Sequence, residues 1–415
     1  MTLLLSIQGG TMINTTRTFL IAGALLFYLA SVIAQPPAED PIEIPFRLVE
    51  NVVWLQVRVN NSRPLNFILD TAAATDAVNM RVAEELHLPL FAMRTRANVG
   101  AGDGLTRTAF APNVQISLSD TNYENPRVGA VPLDSVSRSF GEPFDGALGY
   151  DLLSRWVVTI DYQQHKLVLH SNEAFEYKGS GRTIPLRPSS GEPIASGTLV
   201  LDRKEYSGDF IIDAPARGSV TLATPFIAGN GLLDAMRSSG RRLLETELGG
   251  VGGTSKNALG RVSAFRFAGV TFENPIVGFA NATGGAFARR DIAGIIGAEI
   301  LHHFRVTLDY PRDRLILEQF ETPNIPETDM SGITWESEPP SHNTVTAVRV
   351  QDNSPAAEAG VKVGDVLVSF NDQPAAEIRK WQLTEALRRP GEEVKLVVKR
   401  GEKEVSLRLV LRRLI

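Results

Sequence analysis

Asn66-Phe67-Ile68-Leu69-Asp70-Thr71-Ala72-Ala73 is an apolar strand that ends on an acid and turns at once through small residues. A carboxylate at that point is held by a rigid element yet opens onto whatever lies beyond the strand tip. The pattern returns at Gly208-Asp209-Phe210-Ile211-Ile212-Asp213-Ala214-Pro215-Ala216. Two acids at the tips of two apolar strands, one in each half of the chain, predict a carboxylate pair related by pseudo-symmetry. That is the arrangement acid–base hydrolysis with an activated water requires.

The repeat extends well beyond these strands. Gly146-Ala147-Leu148-Gly149-Tyr150-Asp151-Leu152-Leu153, then Trp156 to Tyr162, then Lys166-Leu167-Val168-Leu169, aligns without a gap on Gly294-Ile295-Ile296-Gly297-Ala298-Glu299-Ile300-Leu301, Phe304 to Tyr310 and Arg314-Leu315-Ile316-Leu317. Tyr123-Glu124-Asn125-Pro126 corresponds to Phe272-Glu273-Asn274-Pro275, and the glycine-rich stretch 100–104 to 249–253. Short alternating segments such as Val53 to Val59, separated by turns, read as strands. Brief helices are expected around Met80–Leu86 and Leu152–Arg155. The sum is an all-β lobe of roughly 130 to 140 residues, present twice.

Composition narrows the function. The chain has 415 residues, too many for one core, and no cysteine, which removes disulfides, thiolate metal sites and a cysteine nucleophile together. A net charge of −5 without a long basic tract argues against a nucleic-acid partner. Arg17, the apolar run from Phe19 to Ile33 and the small residues before Gln35 read as a signal peptide over residues 1–34, with an uncleaved membrane anchor as the alternative and Met12 as a candidate true start. The mature chain is therefore expected outside the cytoplasm, in the periplasm or beyond. No metal or cofactor is called for. His302-His303 reads as a surface pair, Asp161 and Asp309 as turn or cap acids, and Asp151 and Glu299 as first-turn helix acids. Gly249 to Lys256 lacks the order of a phosphate loop.

After a Pro-containing linker over 321–329 the composition changes. Val345–Val350 alternates as a strand, Pro355–Ala359 forms a short helix stopped by Gly360, and Val366–Phe370 is a strand turning at Asn371-Asp372. A helix over Glu377–Arg388 and a hairpin around Gly401 complete a small α+β module.

Residues 41–178 and 179–320 resemble the two lobes of retropepsin-like aspartic proteases, of the exported bacterial type with both lobes on one chain. The strand ending in Asp, the glycine-rich segment and the apolar-apolar-Gly element each appear twice. The resemblance implies a mainly β fold and an aspartic endopeptidase with Asp70 and Asp213 as its dyad. It also implies support from Thr71, Gly149 and Gly297, and flaps carrying Gly100, Gly102, Gly250 and Gly252. The family motif is Asp-Thr-Gly. Here Asp70-Thr71-Ala72 loses the Gly, and Asp213-Ala214-Pro215 loses both the Thr hydroxyl and an N–H. A protease-fold protein that binds or scaffolds polypeptide without cleaving it is the other reading the residues leave open, and a membrane-anchored adaptor a third. Ser354 to Leu367 (SPAAEAGVKVGDVL) resembles a bacterial PDZ domain, spanning 330–415, in which Ser331, Gly332 and Ile333 would hold a peptide terminus beside an added strand. Trp381 and Leu387 are read as groove or core residues of that module.

Overall fold

A computed structural model describes residues 41–96, 100–320, 322 and 325–415. The expected signal peptide, its alternative as an anchor and the start at Met12 lie outside the described residues, as do linker positions 321, 323 and 324. The chain is mainly β with two like lobes and an α+β module. Strand Leu65–Leu69 runs parallel to Gly146–Leu148, which is antiparallel to Ala77–Asn79, which is parallel to Thr121–Val131. In the second lobe Lys204–Ile212, Gly294–Ile296, Val220–Leu222 and Ile276–Asn281 follow the same order with the same senses. The repeat read from sequence is a repeat of topology.

Both lobes contribute to a six-stranded sheet whose central pair is Val157–Asp161 with Phe304–Asp309. Thr159 lies opposite Thr307, and their hydroxyls hydrogen-bond at 2.8 Å. These residues occupy equivalent places in the repeat, so the pseudo-twofold axis passes between them. Asp161 caps the following turn through the N–H groups of Gln163 and Gln164 and also accepts from Arg305, while Asp309 accepts from Arg312 and Arg314.

Helix Met80–Glu85 forms where expected, and the helix expected around Leu152–Arg155 begins two residues earlier, at Tyr150–Leu153. Three more, Asp134–Phe140, Thr224–Gly229 and Leu232–Ser238, are additions that short turn-flanked sequences concealed. Asp134–Phe140 ends on Gly141 at φ +72°, where glycine is unstrained. In the C-terminal module the strands and the helix Pro355–Ala359 match the reading, with Ser354 accepting from the Ala357 N–H. The helix expected over Glu377–Arg388 is shorter. A 3₁₀ turn at Ala375–Glu377 precedes it, Arg379 is extended with its N–H bonded to Gln382, and the helix proper is Lys380–Ala386.

His303 also departs from expectation. It is buried against Phe272 rather than on the surface, and burial, with His302 beside it, pushes it down to about 4. Asp151 and Glu299 do lie in first helical turns. Glu299 is buried as well, which raises it to about 7.

The module is packed onto the lobes. Glu327, from the segment before it, accepts from Arg261 of the second lobe and Arg413 of the module. Trp381 packs on a first-lobe cluster that includes Trp54, Leu133, Phe140 and Phe144. Glu50, at a hairpin tip where φ is +48°, is buried between Arg217 at 2.5 Å and Lys380 of the module at 3.5 Å. Burial pushes Glu50 up, but the two cations together outweigh it and hold it at about 2. Burial pushes Lys380 down despite the attraction of Glu50.

Removing Glu50 strands that ammonium, so Glu50→Ala should cost about 3 kcal/mol in denaturant unfolding. Because the folded pKa lies below the unfolded one, the contribution of Glu50 is complete above about 4.5 and lost as pH falls toward about 2. The variant should therefore show a shallower loss of stability over that range; an unchanged acid limb would separate Glu50 from module docking.

Candidate active site

Each acidic loop is fixed by the element crossing behind it. The Asp70 N–H donates to Leu148 O at 2.8 Å and the Tyr150 N–H to Ala73 O at 2.9 Å. In the second lobe the Asp213 N–H donates to Ile296 O at 2.9 Å and the Ala298 N–H to Ala216 O at 2.6 Å. Gly149 and Gly297 make the approach feasible. A Cβ on Gly149 would sit 2.6 Å from Ala73 O, and one on Gly297 2.3 Å from Gly218 O. Asp76, which sequence reading passed over, secures this crossing. Fully buried, it accepts from the Gly149 N–H, Tyr123 Oη and Asn125 Nδ2, and burial raises it to about 6. Its partners Tyr123 and Asn125 lie in the repeated tetrapeptide, which was the available signal.

Thr71 joins the two loops. Its hydroxyl donates to Ile212 O at 2.6 Å and accepts from the Ala214 N–H at 2.9 Å, both buried. Ala214 has no hydroxyl to return, so one side chain braces both lobes.

Asp70 and Asp213 line one cleft of about 860 Å³. Above it Gly102 donates to Val251 O at 3.0 Å and Gly104 to Gly252 O at 2.9 Å, so the two glycine-rich tips meet over the acids. A Cβ at Gly102 would lie 2.4 Å from the Gly252 carbonyl carbon, and one at Gly250 2.7 Å from the Ala101 Cβ. Gly100 accepts from the Ala286 N–H. One cleft wall carries Ile68, Leu133, Phe140 and Phe144, the other Ile211, Leu248, Phe287 and Ile295.

The acids are unequal. The Ala72 N–H donates to Asp70 Oδ1 at 3.0 Å. The equivalent position after Asp213 is Pro215, and Asp213 Oδ1 is buried with no hydrogen-bond partner among the described residues. Burial raises Asp70, the amides of Ala72 and Ala73 oppose it, and the group settles at about 6. Burial and then the charge of Asp70 push Asp213 well above the ordinary carboxylate range. Glu192, which also lines the cleft, pushes both upward and is paired with Arg289. Arg217, just past the second loop, lies over the Phe140 ring at 4.8 Å and donates to Ser139. Neither Glu192 nor Arg217 belongs to a repeated motif, so nothing in the sequence marked them.

The third predicted group lies apart from the cleft. Ser331, Gly332 and Ile333 form the loop that enters strand Ile333–Ser337 at the edge of the module's sheet. Their N–H groups already have partners: Ser331 and Gly332 donate to Asp329 Oδ1, and Ile333 to Ser331 Oγ.

Residues 55–152 match the family model described as aspartyl protease, and residues 332–411 the one described as PDZ domain. Among solved structures, the crystal structure of aspartic proteinase from Irpex lacteus aligns with a TM-score of 0.43 and 14% identity, over 68% of this chain and 98% of that one. No curated protein matches the sequence. The matched residues give the chain an aspartyl protease domain in its first lobe and a PDZ domain at its C-terminal end.

Proposed function

We propose that the protein is an exported aspartic endopeptidase, working in the periplasm or outside the cell, that hydrolyses peptide bonds with a water activated by Asp70 and Asp213. Its PDZ domain supplies a second contact to polypeptide. The observation that carries this reading is a pair of carboxylates, one per lobe, in one cleft beneath paired glycine-rich tips, with their proton affinities driven apart. The Ala72 and Ala73 amides favour the ionised form of Asp70, so Asp70 takes the proton of the attacking water. Asp213 has no such donor at Oδ1, keeps its proton and polarises the scissile carbonyl. The two titrate as a unit. The apolar walls receive the flanking side chains, and the closed tips exclude bulk water.

The second reading, binding without cleavage, is favoured by Pro215, which leaves Asp213 unbraced on one oxygen. Degradation of an unfolded protein separates the two. Asp70→Asn and Asp213→Asn should each lower kcat/KM by about 10³-fold. Equal cleavage by wild type and both variants would end the dyad reading. No cleavage by any of them, with peptide binding retained, would favour the second reading.

The pH profile follows from Asp70. Its working form is ionised, so kcat/KM should rise with an apparent pKa of about 6 as pH increases and should be lost below it. A profile whose acid limb lies below pH 4 would refute this assignment.

Both acids bind protons more tightly folded than unfolded, so each costs stability increasingly as pH rises above about 3.8, the cost from Asp70 levelling off above about 6. Asp213→Asn removes a buried carboxyl that must take up a proton on folding. The variant should unfold at higher denaturant concentration than wild type at pH 7, with the difference shrinking by pH 4.

A further inference from the structure

In the mode implied by the resemblance, a peptide's terminal carboxylate sits on the N–H groups of Ser331, Gly332 and Ile333, and its chain extends the free edge of strand Ile333–Ser337. Both places are taken by this chain. Asp329 Oδ1 accepts from the Ser331 N–H at 2.9 Å, the Gly332 N–H at 2.9 Å and Ser331 Oγ at 2.7 Å. The Ile333 N–H is used by Ser331 Oγ at 3.1 Å. An incoming carboxylate would find no free amide there and would meet a like charge.

The strand itself is covered by the helix Asp134–Phe140 of the first lobe, which packs against it. Ser137 Oγ lies 3.1 Å from His342 Nε2, and His342 Nδ1 is 2.7 Å from Ser337 Oγ at the end of the strand. At the start of the facing helix, a Cβ on Gly141 would come within 2.5 Å of the Lys380 Cβ, and Lys380 reaches on to Glu50. Trp381 leaves the module to join Leu133, Phe140 and Phe144. Trp381 is thus an interface residue, whereas Leu387 belongs to the module's core.

We propose that the PDZ groove is occupied in cis, with Asp329 standing for a ligand's terminal carboxylate and the helix Asp134–Phe140 for the strand-covering part of the ligand. Capture of a peptide C-terminus and docking on the first lobe are then mutually exclusive. The consequence reaches the active site, because Leu133, Val136, Ser139 and Phe140 line the cleft. A peptide that displaces the module also releases one wall of the substrate site.

The proposal rests on the reading of the module as a polypeptide receptor, and the test separates the two. A pool of dye-labelled decapeptides with randomised sequence and an apolar last residue is prepared with a free carboxylate and, separately, as the C-terminal amide. Fluorescence anisotropy then follows binding to the full chain. Wild type should bind both pools weakly and without preference. Asp329→Ala should gain about tenfold for the free acid alone. Lys380→Glu, which sets two carboxylates against each other at the docking contact, should gain about tenfold for both pools. Far-UV circular dichroism checks that each variant is folded. A wild type that prefers the free acid, with affinity unchanged by Asp329→Ala, overturns occupation in cis while leaving the receptor reading intact. Absence of binding in every arm overturns both.

Discussion

The antiparallel pairing of Val157–Asp161 with Phe304–Asp309 is the constraint on which the rest of the molecule depends. It joins equivalent strands of the two lobes in one sheet, and the Thr159–Thr307 bond marks the axis between them. Once that register is set, each lobe's acidic loop is carried to the same cleft from opposite sides. Hydrophobic burial alone would hold two lobes together without fixing how they face one another. A ladder of backbone bonds fixes the register residue by residue.

Each lobe's own sheet explains how a degenerate pair of loops keeps its shape. Each loop is pinned from behind by a glycine-containing strand, and Thr71 alone ties Ile212 and Ala214 across the interface. What the second loop has lost is the N–H at Pro215, not its position. The loss appears as chemistry, leaving Asp213 with an unpartnered buried oxygen and a strongly raised proton affinity. Asp70 keeps its amide donors and sits lower. A sequence departure that looks like decay of the site thus also gives its two acids unequal environments.

The third body adds a constraint that ties both lobes to it. Glu50 is buried with cations from both the second lobe and the module, and Arg217 in that triad also stacks on a cleft residue. The PDZ domain is therefore packed behind one wall of the site, through Trp381 on the cluster of Leu133, Phe140 and Phe144, rather than trailing from it. Glu327, bonded to Arg261 and Arg413, ties its entry segment down as well.

Much of this was legible in the chain because it is periodic. The strand ends at Asp70 and Asp213, the Gly149 and Gly297 elements, the glycine-rich tips and the strands of the C-terminal module are local patterns. Local patterns report backbone geometry directly. Helix Asp134–Phe140 and the shortened helix Lys380–Ala386 were not legible at their ends, since short helices are set by packing more than by propensity. Asp76, Glu192, Arg217 and Glu50 were not legible at all. Each matters through a partner distant in sequence, and a single carboxylate or guanidinium carries no mark of what it will meet. The sequence by itself determined the repeated topology and the two acids. Only the tertiary structure decided how far the two acids differ in proton affinity, what bonds the Ser331 and Gly332 amides and what packs behind the cleft wall, because burial, charge pairing and donor supply exist only once the lobes and the module are packed.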